Sequence, residues 1–395
     1  MERKPLNRVK FTAAACVCGL VVVATTAAAA QLIALPPAPS GVQVTREYGQ
    51  EFVTVQSVGN TGYPRSTVGW TGENDRMGRG VVDYAYRIAR TEITTGQWLE
   101  FLNTFGPRPM PENVKPLLAL NNLSEFYLGP SWFGGSLAES DPIARTARYE
   151  LRTDVPDAAN LPVFGISWRF AAAYCNWLHN DKSSDWNALL SGAYDTGTWG
   201  VLPGVGFVDS ITHEAGARFW IPTLDEWGKA AFYDPNKDGP GAGGWWDRHY
   251  SSNDAPIPGL PDELGAQTST GIPALDSSAQ ARDIPLAAYS AMSPWGLFDT
   301  AGGAAEVIGE YANPLNPQHF RMLTLGPPAG SSTLDPEFLP EYLANATRAF
   351  AGGTEAFFDG FDSSFRLAAA VPAPAGAWCF GVACVIMFSR KRMST

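Results

Sequence analysis

The segment VVDYAYRIARTEITTGQWLEFLNTF, from Val81 to Phe105, changes its apolar period from that of a strand to that of a helix. Its first half places apolar residues at every second position, namely Val82, Tyr84, Tyr86 and Ile88. Its second half places them on one helix face, namely Trp98, Phe101, Leu102 and Phe105. Thr94 and Gln97 have the spacing of a capping box at the helix start. The segment therefore predicts a strand followed directly by a helix.

Two further helices are indicated by the same signals. In PVFGISWRFAAAYCNWLHN, Ser167 is a suitable N-cap, and the expected buried face is Phe170, Tyr174, Trp177 and Leu178. In RFWIPTLDEWGKAAFYDP, Thr223 and Glu226 form a second capping box, followed by the core-facing residues Trp227, Ala230 and Ala231. The chain has 40 Gly and 31 Pro, which favours many loops between such elements. We expect one large α+β domain with few helices, short strands and much irregular loop.

Residues 1–30 have the three parts of a secretory signal peptide. Basic residues come first, an apolar run extends from Phe11 to Val23, and small residues follow in ATTAAAAQ. The stretch 31–51 is predicted to be a linker because it begins with the Pro/Ala-rich sequence QLIALPPAPSG. A lipoprotein signal is the alternative, since Cys16 and Cys18 lie in the apolar run, but neither follows a Leu-rich lipobox.

Residues 371–395 resemble the PEP-CTERM sorting tail of bacterial envelope proteins. They contain Pro372 and Pro374, an apolar run from Ala377 to Phe388, and a basic end, although Ala373 replaces the usual Glu of that motif. The run is shorter than the ~20 residues that a membrane-spanning helix needs. The resemblance implies export to the cell envelope or outer surface, the exported-protein sorting machinery as a partner, and membrane contact through the tail before processing. A short permanent anchor is the alternative.

The net charge is −11, and both ends are basic, so the region between them is more acidic still. This charge argues against a nucleic-acid partner and favours divalent cations. Of the five cysteines, only Cys175 lies between the two ends, so no internal disulfide is expected there. Cys175 shares a helix with buried apolar residues and is predicted to be a small core residue.

Four segments, in this order, resemble the formylglycine-generating enzyme, or sulfatase-modifying factor, family. They are YRIARTEITTGQWLEFLN, PVFGISWRFAAAYCNWL, RFWIPTLDEWGKAAF and SPWGLFDTAGGAAE, and RAFAGG followed by FRLA resembles the family's C-terminal motif. The resemblance covers residues 52–370. It implies a C-type-lectin-related α+β fold with little regular secondary structure.

The resemblance also implies a structural calcium ion in the stretch SPWGLFDTAGGAAEV. Asp299, Gly302, Ala304 and Glu306 match the family's calcium spacing, with carboxylates from the outer two residues and backbone carbonyls from the inner two. A phosphate loop is excluded, because Glu306 stands where Lys or Ser/Thr would be needed. An unoccupied turn is the alternative.

A second calcium candidate is DPNKDG. Asp234, Asn236, Asp238 and Gly239 copy the start of an EF-hand loop, but its twelfth position is Trp245 instead of Glu. A run of Asx-turns is therefore the favoured interpretation.

The family's oxidase activity requires two cysteines that bind copper(I) shortly after the RxxxGG segment. Phe357 and Asp362 occupy those positions, and no Cys occurs between Cys175 and Cys379. Soft thiolates are the ligands that copper(I) requires, so this chemistry is not supported. Related non-haem iron enzymes need clustered histidines, whereas this chain has four His at scattered positions: His179, His213, His249 and His319.

No catalytic residue is predicted, and the carboxylates Asp225 and Glu226 are explained by the dipole of the helix that they begin. The leading hypothesis is an exported, envelope-associated, non-catalytic binding or structural module with a glycan or peptide ligand. The alternative is a metal-dependent oxidoreductase of the same family, so enzymatic activity is left open.

Overall fold

The computed structural model describes residues 34–65, 77–114, 134–141, 146–199, 201–202, 206–207, 209–254, 261, 283–300, 304–311, 322–325, 354–356 and 363–372. Several predicted features lie outside these residues: the signal segment 1–30, the tail from 373 onward, Gly302, His319, Phe357 and Asp362. Among the helices that are described, none is both long and apolar enough to cross a bilayer.

An antiparallel five-stranded sheet, in the order β1-β2-β3-β15-β8, lies against the main core. Its strands are β1 (Val44–Glu47), β2 (Gln50–Val55), β3 (Tyr86–Ala89), β15 (Ala368–Ala369) and β8 (Phe219–Trp220). The hairpin between β1 and β2 turns at Tyr48 and Gly49, both with positive φ. Because β15 pairs with both β3 and β8, the sheet joins distant parts of the chain.

Two segments of this sheet differ from what the sequence predicts. The strand predicted through Val82 to Ile88 begins only at Tyr86, and Tyr84 is exposed. All four residues of β3 are buried, since the strand lies in the middle of the sheet, and buried central strands lose the alternation of half-exposed ones. The hairpin begins at Val44, inside the stretch 31–51 that the composition indicates as a linker.

Helices α1 (Thr95–Phe105) and α2 (Trp168–His179) begin where their caps predict. The Thr94 hydroxyl accepts from the Gln97 amide, and the Gln97 side chain accepts in return from the Thr94 amide. The Ser167 hydroxyl accepts from the Phe170 amide at the start of α2. Both caps satisfy backbone donors that a helix leaves free at its start.

The predicted apolar faces of α1 and α2 meet in an aromatic core. The rings of Trp98 and Tyr174 are stacked with centroids 5.7 Å apart, and Phe101 lies 5.4 Å from both Tyr174 and Trp177. Phe365, from the C-terminal end of the domain, lies 6.0 Å from Trp98. The core therefore depends on segments that are far apart in sequence.

Helix α3 (Leu224–Phe232) also has its predicted capping box, between Thr223 and Glu226, and buries Trp227, Ala230 and Ala231 as expected.

The remaining strands form one mixed four-stranded sheet, in which β11 pairs parallel with β14, and three two-stranded ribbons. They are β4 (Gly135–Asp141), β5 (Thr146–Leu151), β6 (Val201–Leu202), β7 (Gly206–Phe207), β9 (Tyr233–Asp234), β10 (Gly244–Trp245), β11 (Ala305–Tyr311), β12 (Met322–Leu325), β13 (Thr354–Ala356) and β14 (Ser363–Ser364). The three α-helices and the short strands of the described residues confirm the predicted α+β class.

Candidate functional site

The predicted calcium loop connects the end of the segment 293–299 with β11. Asp299 is half-buried and has a positive φ of 53°, and its Oδ2 accepts a 2.6 Å hydrogen bond from the Ala287 amide. Loss of hydration raises the pKa of Asp299 to about 6, against the opposing effects of the Ala287 amide and Arg366. Ala304 is buried, and Gly302 lies outside the described residues.

Glu306, the second predicted carboxylate of that loop, is held by protein donors. Arg366 donates from Nε to Oε2 at 2.5 Å and from Nη2 to Oε1 at 2.6 Å. The Trp227 indole donates to Oε2 at 3.0 Å. Both charged side chains are fully buried. The Glu306 carboxylate therefore neutralises Arg366, and any cation at this loop needs negative charge from elsewhere.

Glu92, between β3 and α1, is a third carboxylate in this region. It is completely buried. The buried Ser364 hydroxyl lies beside Glu92, and the buried Thr300 follows Asp299 in sequence. Burial raises the pKa of Glu92 well above its ordinary value, Glu306 and Asp299 raise it further, and Arg366 and a hydrogen bond with Ser364 oppose them.

Main-chain contacts explain why Glu92 is in this cluster. The Arg90 carbonyl accepts from the Phe298 amide at 2.7 Å, and the Ile93 amide donates to the Phe365 carbonyl at 3.0 Å. The segment that carries Glu92 is thus fixed between the segment before Asp299 and the segment before Arg366. Neither Glu92 nor Arg366 is predicted as a site residue by the sequence patterns, although both lie in segments that carry the family resemblance.

The carboxylates of Glu92, Asp299 and Glu306 lie in the same region as Arg366, and burial raises the pKa of both Glu92 and Asp299. Within the described ranges, no three His, Cys, Asp or Glu side chains are grouped closely enough to hold a metal ion by themselves. A cation here would need hydroxyl, carbonyl and water oxygens in addition, which is the mixed donor set typical of calcium.

DPNKDG forms Asx-type turns, as the sequence favours. Asp234 Oδ1 accepts from the Asn236 amide at 2.8 Å, and Asn236 Oδ1 accepts from the Gly241 amide at 2.9 Å. Asp234 Oδ2 also accepts from the Trp246 indole at 3.1 Å. These side chains satisfy local donors and hold the ribbon of β9 and β10.

Within the part of the chain that the structure describes, Cys175 and the histidines belong to no group of three or more potential metal ligands. Cys175 is fully buried in α2, and burial raises the pKa of its thiol, which confirms the prediction of a core residue. His213 stacks on Trp220 with centroids 4.5 Å apart, and His179 accepts from the Arg218 amide at 3.3 Å. Each contact gives the imidazole a local structural role.

A second feature is an exposed apolar surface on two loops, residues 57–63 and 77–84, which we call the paired-loop surface. Four of the large apolar side chains that are more than 40% exposed lie on these loops: Val58, Met77, Val81 and Tyr84. The loops are bonded to each other, since Gly59 donates to the Val82 carbonyl at 3.0 Å and Gly78 to the Tyr63 carbonyl at 2.8 Å.

Hydrogen bonds and ion pairs hold the backbone of the paired-loop surface, and two of the side chains that make them belong to α3. Lys229 Nζ donates to the Ser57 carbonyl at 3.0 Å and to the Val82 carbonyl at 3.3 Å. Arg79 pairs with Asp225 at 2.9 Å and with Glu310 at 2.6 Å. These bonds hold exposed apolar side chains in a fixed arrangement, which is a property of binding surfaces.

The tryptophans expected for a glycan cleft are mostly in the core. Every described Trp is buried except Trp199 and Trp246, which are half-buried. Arg169 lies 5.4 Å from the Trp199 ring, and Lys237 lies 4.6 Å from the Trp246 ring. Both partly exposed rings are therefore already stacked against a cation of the same chain.

The model of the Sulfatase-modifying factor enzyme 1-like domain matches residues 45–370. A comparison with curated proteins gives no match. Among solved structures, Treponema denticola variable protein 1 is similar, with 16% identity over 84% of this chain and 99% of that chain and a TM-score of 0.45. CarF has 18% identity over 81% of this chain and 98% of that chain, with a TM-score of 0.40. PvdO from Pseudomonas aeruginosa has 12% identity over 85% of this chain and 100% of that chain, with a TM-score of 0.38.

Proposed function

We propose a non-catalytic binding function for this chain, which belongs to the family of sulfatase-modifying factor enzyme 1-like domains. The observation that carries the proposal is the paired-loop surface, where Val58, Val81 and Tyr84 are exposed on a backbone fixed by Lys229 and Arg79. Exposing large apolar side chains on a rigid scaffold costs solubility, and a partner that covers them explains why they are there.

A peptide or protein segment suits this surface better than a glycan. Sugar rings stack on the flat faces of exposed aromatic rings, and the described tryptophans are buried or stacked against a cation. The exposed Asp83 lies between Val81 and Tyr84, and the chain is acidic overall. The ligand is therefore proposed to combine apolar and basic side chains.

One sequence feature and one structural feature support the absence of catalysis in this proposal. Phe357 and Asp362 occupy the positions of the copper-binding cysteines, and the thiol of Cys175 is enclosed in the core. A buried thiol with a raised pKa is neither a good nucleophile nor a copper(I) ligand. The chain is further proposed to act in the cell envelope, as the signal and tail patterns of its two ends indicate.

A structural calcium ion at Asp299, Gly302, Ala304 and Glu306 is part of the proposal. The support is the spacing of these four residues, which matches the calcium loop of the family, with a carboxylate from Asp299 at the start of the loop. Calcium there would fix the loop before β11 and would take no part in bond making or breaking.

An array of immobilised probes tests the binding function. It carries peptides that alternate Leu with Lys, peptides that alternate Leu with Glu, and neutral oligosaccharides. We expect the full chain to bind the Leu/Lys peptides, and Val58→Ser with Val81→Ser to reduce that binding at least tenfold. The matched control is Val44→Ser with Val371→Ser, which removes similarly exposed valines elsewhere. Binding only to oligosaccharides, or equal binding by both double variants, contradicts the proposal.

A separate assay tests the absence of catalysis. The full chain is incubated with a cysteine-containing peptide and copper(I) in air, and the peptide is analysed by mass spectrometry. We expect no conversion of the thiol to an aldehyde and no oxygen uptake above that of copper alone. Stoichiometric conversion would make the chain an oxidoreductase.

A further inference from the structure

Tyr84, on the paired-loop surface, has the reverse of the usual orientation of a tyrosine. A tyrosine commonly buries its ring and keeps its hydroxyl in water. Here the hydroxyl donates at 2.9 Å to Oε1 of Glu226, a fully buried carboxylate in the first turn of α3. The residue is nevertheless 45% exposed, so the exposed part of its side chain is the ring. The paired-loop surface therefore presents an aromatic ring to solvent.

Hydrogen bonds and a neighbouring ring fix the position of the Tyr84 ring. Glu226 also accepts hydrogen bonds from the Trp220 indole at 3.2 Å and from the Thr223 amide at 2.8 Å, so its carboxylate stays in place. The Tyr86 ring lies beside Tyr84, with centroids 6.1 Å apart and planes at 66° to each other. A ring that is already held in one orientation loses little conformational entropy when a ligand covers it.

Acidic side chains surround Tyr84. Burial and, after it, the carboxylates of Glu226, Asp83 and Asp225 raise the pKa of the hydroxyl above its ordinary value. The basic residue of the two loops, Arg79, is already paired with Asp225 at 2.9 Å. A cation that belongs to a ligand would therefore meet a negative electrostatic field at this ring.

Other partly exposed aromatic rings of the chain already carry a cation. Lys182 Nζ lies 5.7 Å from the centre of the Tyr48 ring. Cations also lie 5.4 Å from the centre of the Trp199 ring and 4.6 Å from that of Trp246. Within the described part of the chain, no Lys or Arg lies over the Tyr84 ring, although it is the most exposed of these four. Its attraction for a cation is therefore available to a ligand.

We propose that the Tyr84 ring receives the cation of a basic side chain of the peptide ligand, while Val58 and Val81 contact its apolar side chains. This inference rests on the proposed peptide binding and adds the residue that selects a basic ligand. Asp83, which is exposed next to Tyr84 in sequence, attracts any positive charge. The ring contact is more selective, because its strength requires the cation to lie close to the face of the ring.

Three forms of one peptide test the assignment on the full chain. They are the peptide that alternates Leu with Lys, and the same peptide with every Lys trimethylated or acetylated. Trimethyllysine keeps the positive charge but donates no hydrogen bond, whereas acetyllysine has lost the charge. Fluorescence anisotropy of the labelled peptides gives the affinities.

The wild type is expected to bind the trimethylated peptide at least as tightly as the unmodified one, and the acetylated peptide at least tenfold more weakly. A cation is attracted to a ring face without donating a hydrogen bond to it. Tight binding of the unmodified peptide alone would contradict the assignment, because it would require a hydrogen-bonded ion pair in place of the ring contact.

Tyr84→Leu keeps an apolar side chain but removes the ring. It is expected to weaken the binding of the unmodified and trimethylated peptides about fivefold, and to leave the binding of the acetylated peptide nearly unchanged. The matched control is Tyr84→Phe, which also loses the hydrogen bond to Glu226 but keeps the ring. We expect Tyr84→Phe to bind all three peptides within about twofold of the wild type.

Asp83→Asn separates the ring contact from simple charge attraction. Its effect on the two charged peptides is expected to disappear at high salt, because exposed charges are screened. The loss in Tyr84→Leu is expected to persist under the same conditions, since it comes from a short-range contact.

Two further results would overturn the assignment: binding of the Leu/Lys peptide by Tyr84→Leu as tight as that of the wild type, or equal losses in Tyr84→Leu and Tyr84→Phe. In both cases the comparison of Val58→Ser with Val81→Ser against its control still decides the peptide-binding proposal separately. If the wild type binds no Leu/Lys peptide, the proposed function is wrong and this assignment is wrong with it.

Discussion

Arg366 and Glu306 form a fully buried ion pair through two hydrogen bonds of 2.5 and 2.6 Å. The pair joins the segment before β15 to β11, and Arg366 also donates to backbone carbonyls of the chain before α1. Removing one member of a buried ion pair leaves the other charge buried without a partner. The free-energy cost of that lone charge is larger than the net stabilisation that the intact pair provides.

We therefore predict that Glu306→Gln destabilises the protein by about 3–5 kcal/mol. The free energy of unfolding, measured in urea, gives the value. Glu139→Gln is the control, since it changes the same functional group on an exposed strand. A loss below about 1 kcal/mol, the range of surface pairs, would mean that the pair is open to water in solution.

A prediction for the pH dependence concerns Lys229. Burial lowers the pKa of Lys229 from 10.5 to about 8, so between these values the unfolded chain binds more protons than the folded one. Stability therefore rises with pH from about 8 upward on account of this residue. Lys229→Met should remove that rise, as seen in the thermal midpoint between about pH 7.5 and 9.5.

The pH range stops below the ordinary pKa of tyrosine because Tyr86 has the opposite effect. Burial raises the pKa of Tyr86, so stability falls once tyrosines ionise in the unfolded chain.

Lys182→Met is the control for Lys229→Met, since Lys182 is a partly exposed lysine paired with Glu100. A rise of the same size in Lys229→Met and wild type would show that another group is responsible.

The capping box of α1 gives a graded prediction. Thr94→Ala loses one cap and should cost about 1 kcal/mol. Gln97→Ala should cost about 1–3 kcal/mol, because the side-chain Nε2 of Gln97 also donates to the Gly49 carbonyl and its Oε1 accepts from Gln50 Nε2. Urea unfolding of both variants should rank Gln97→Ala as the less stable. The reverse order would mean that the contact between α1 and the first hairpin contributes little.

Cys175 is predicted to be chemically inert in the folded protein. Its thiol is fully buried in α2 and has a raised pKa, so an alkylating reagent should not reach or ionise it. Mass-spectrometric mapping of the peptide that contains Cys175 should show labelling only in denaturant. Rapid labelling of the native chain would indicate that α2 opens, and would weaken the case against thiol chemistry.

Local sequence signals determined the helices of this protein. The caps at Thr94, Ser167 and Thr223 and the apolar faces that follow them depend on residues three or four positions apart. Such interactions are formed within one element, so a period and a cap are enough to predict them. The turns of DPNKDG follow the same logic, and the motifs of the four segments were sufficient for the family.

Tertiary structure alone decided the two candidate sites. Glu92, Asp299, Glu306 and Arg366 come from four separate segments that backbone hydrogen bonds hold together, and only the folded chain shows that Glu306 is the carboxylate bonded to the guanidinium. Likewise, Val58 and Val81 become one exposed surface only because the loops that carry them pair above Lys229. Burial and long-range pairing are properties of the packed chain, and no local pattern encodes which charge finds which partner.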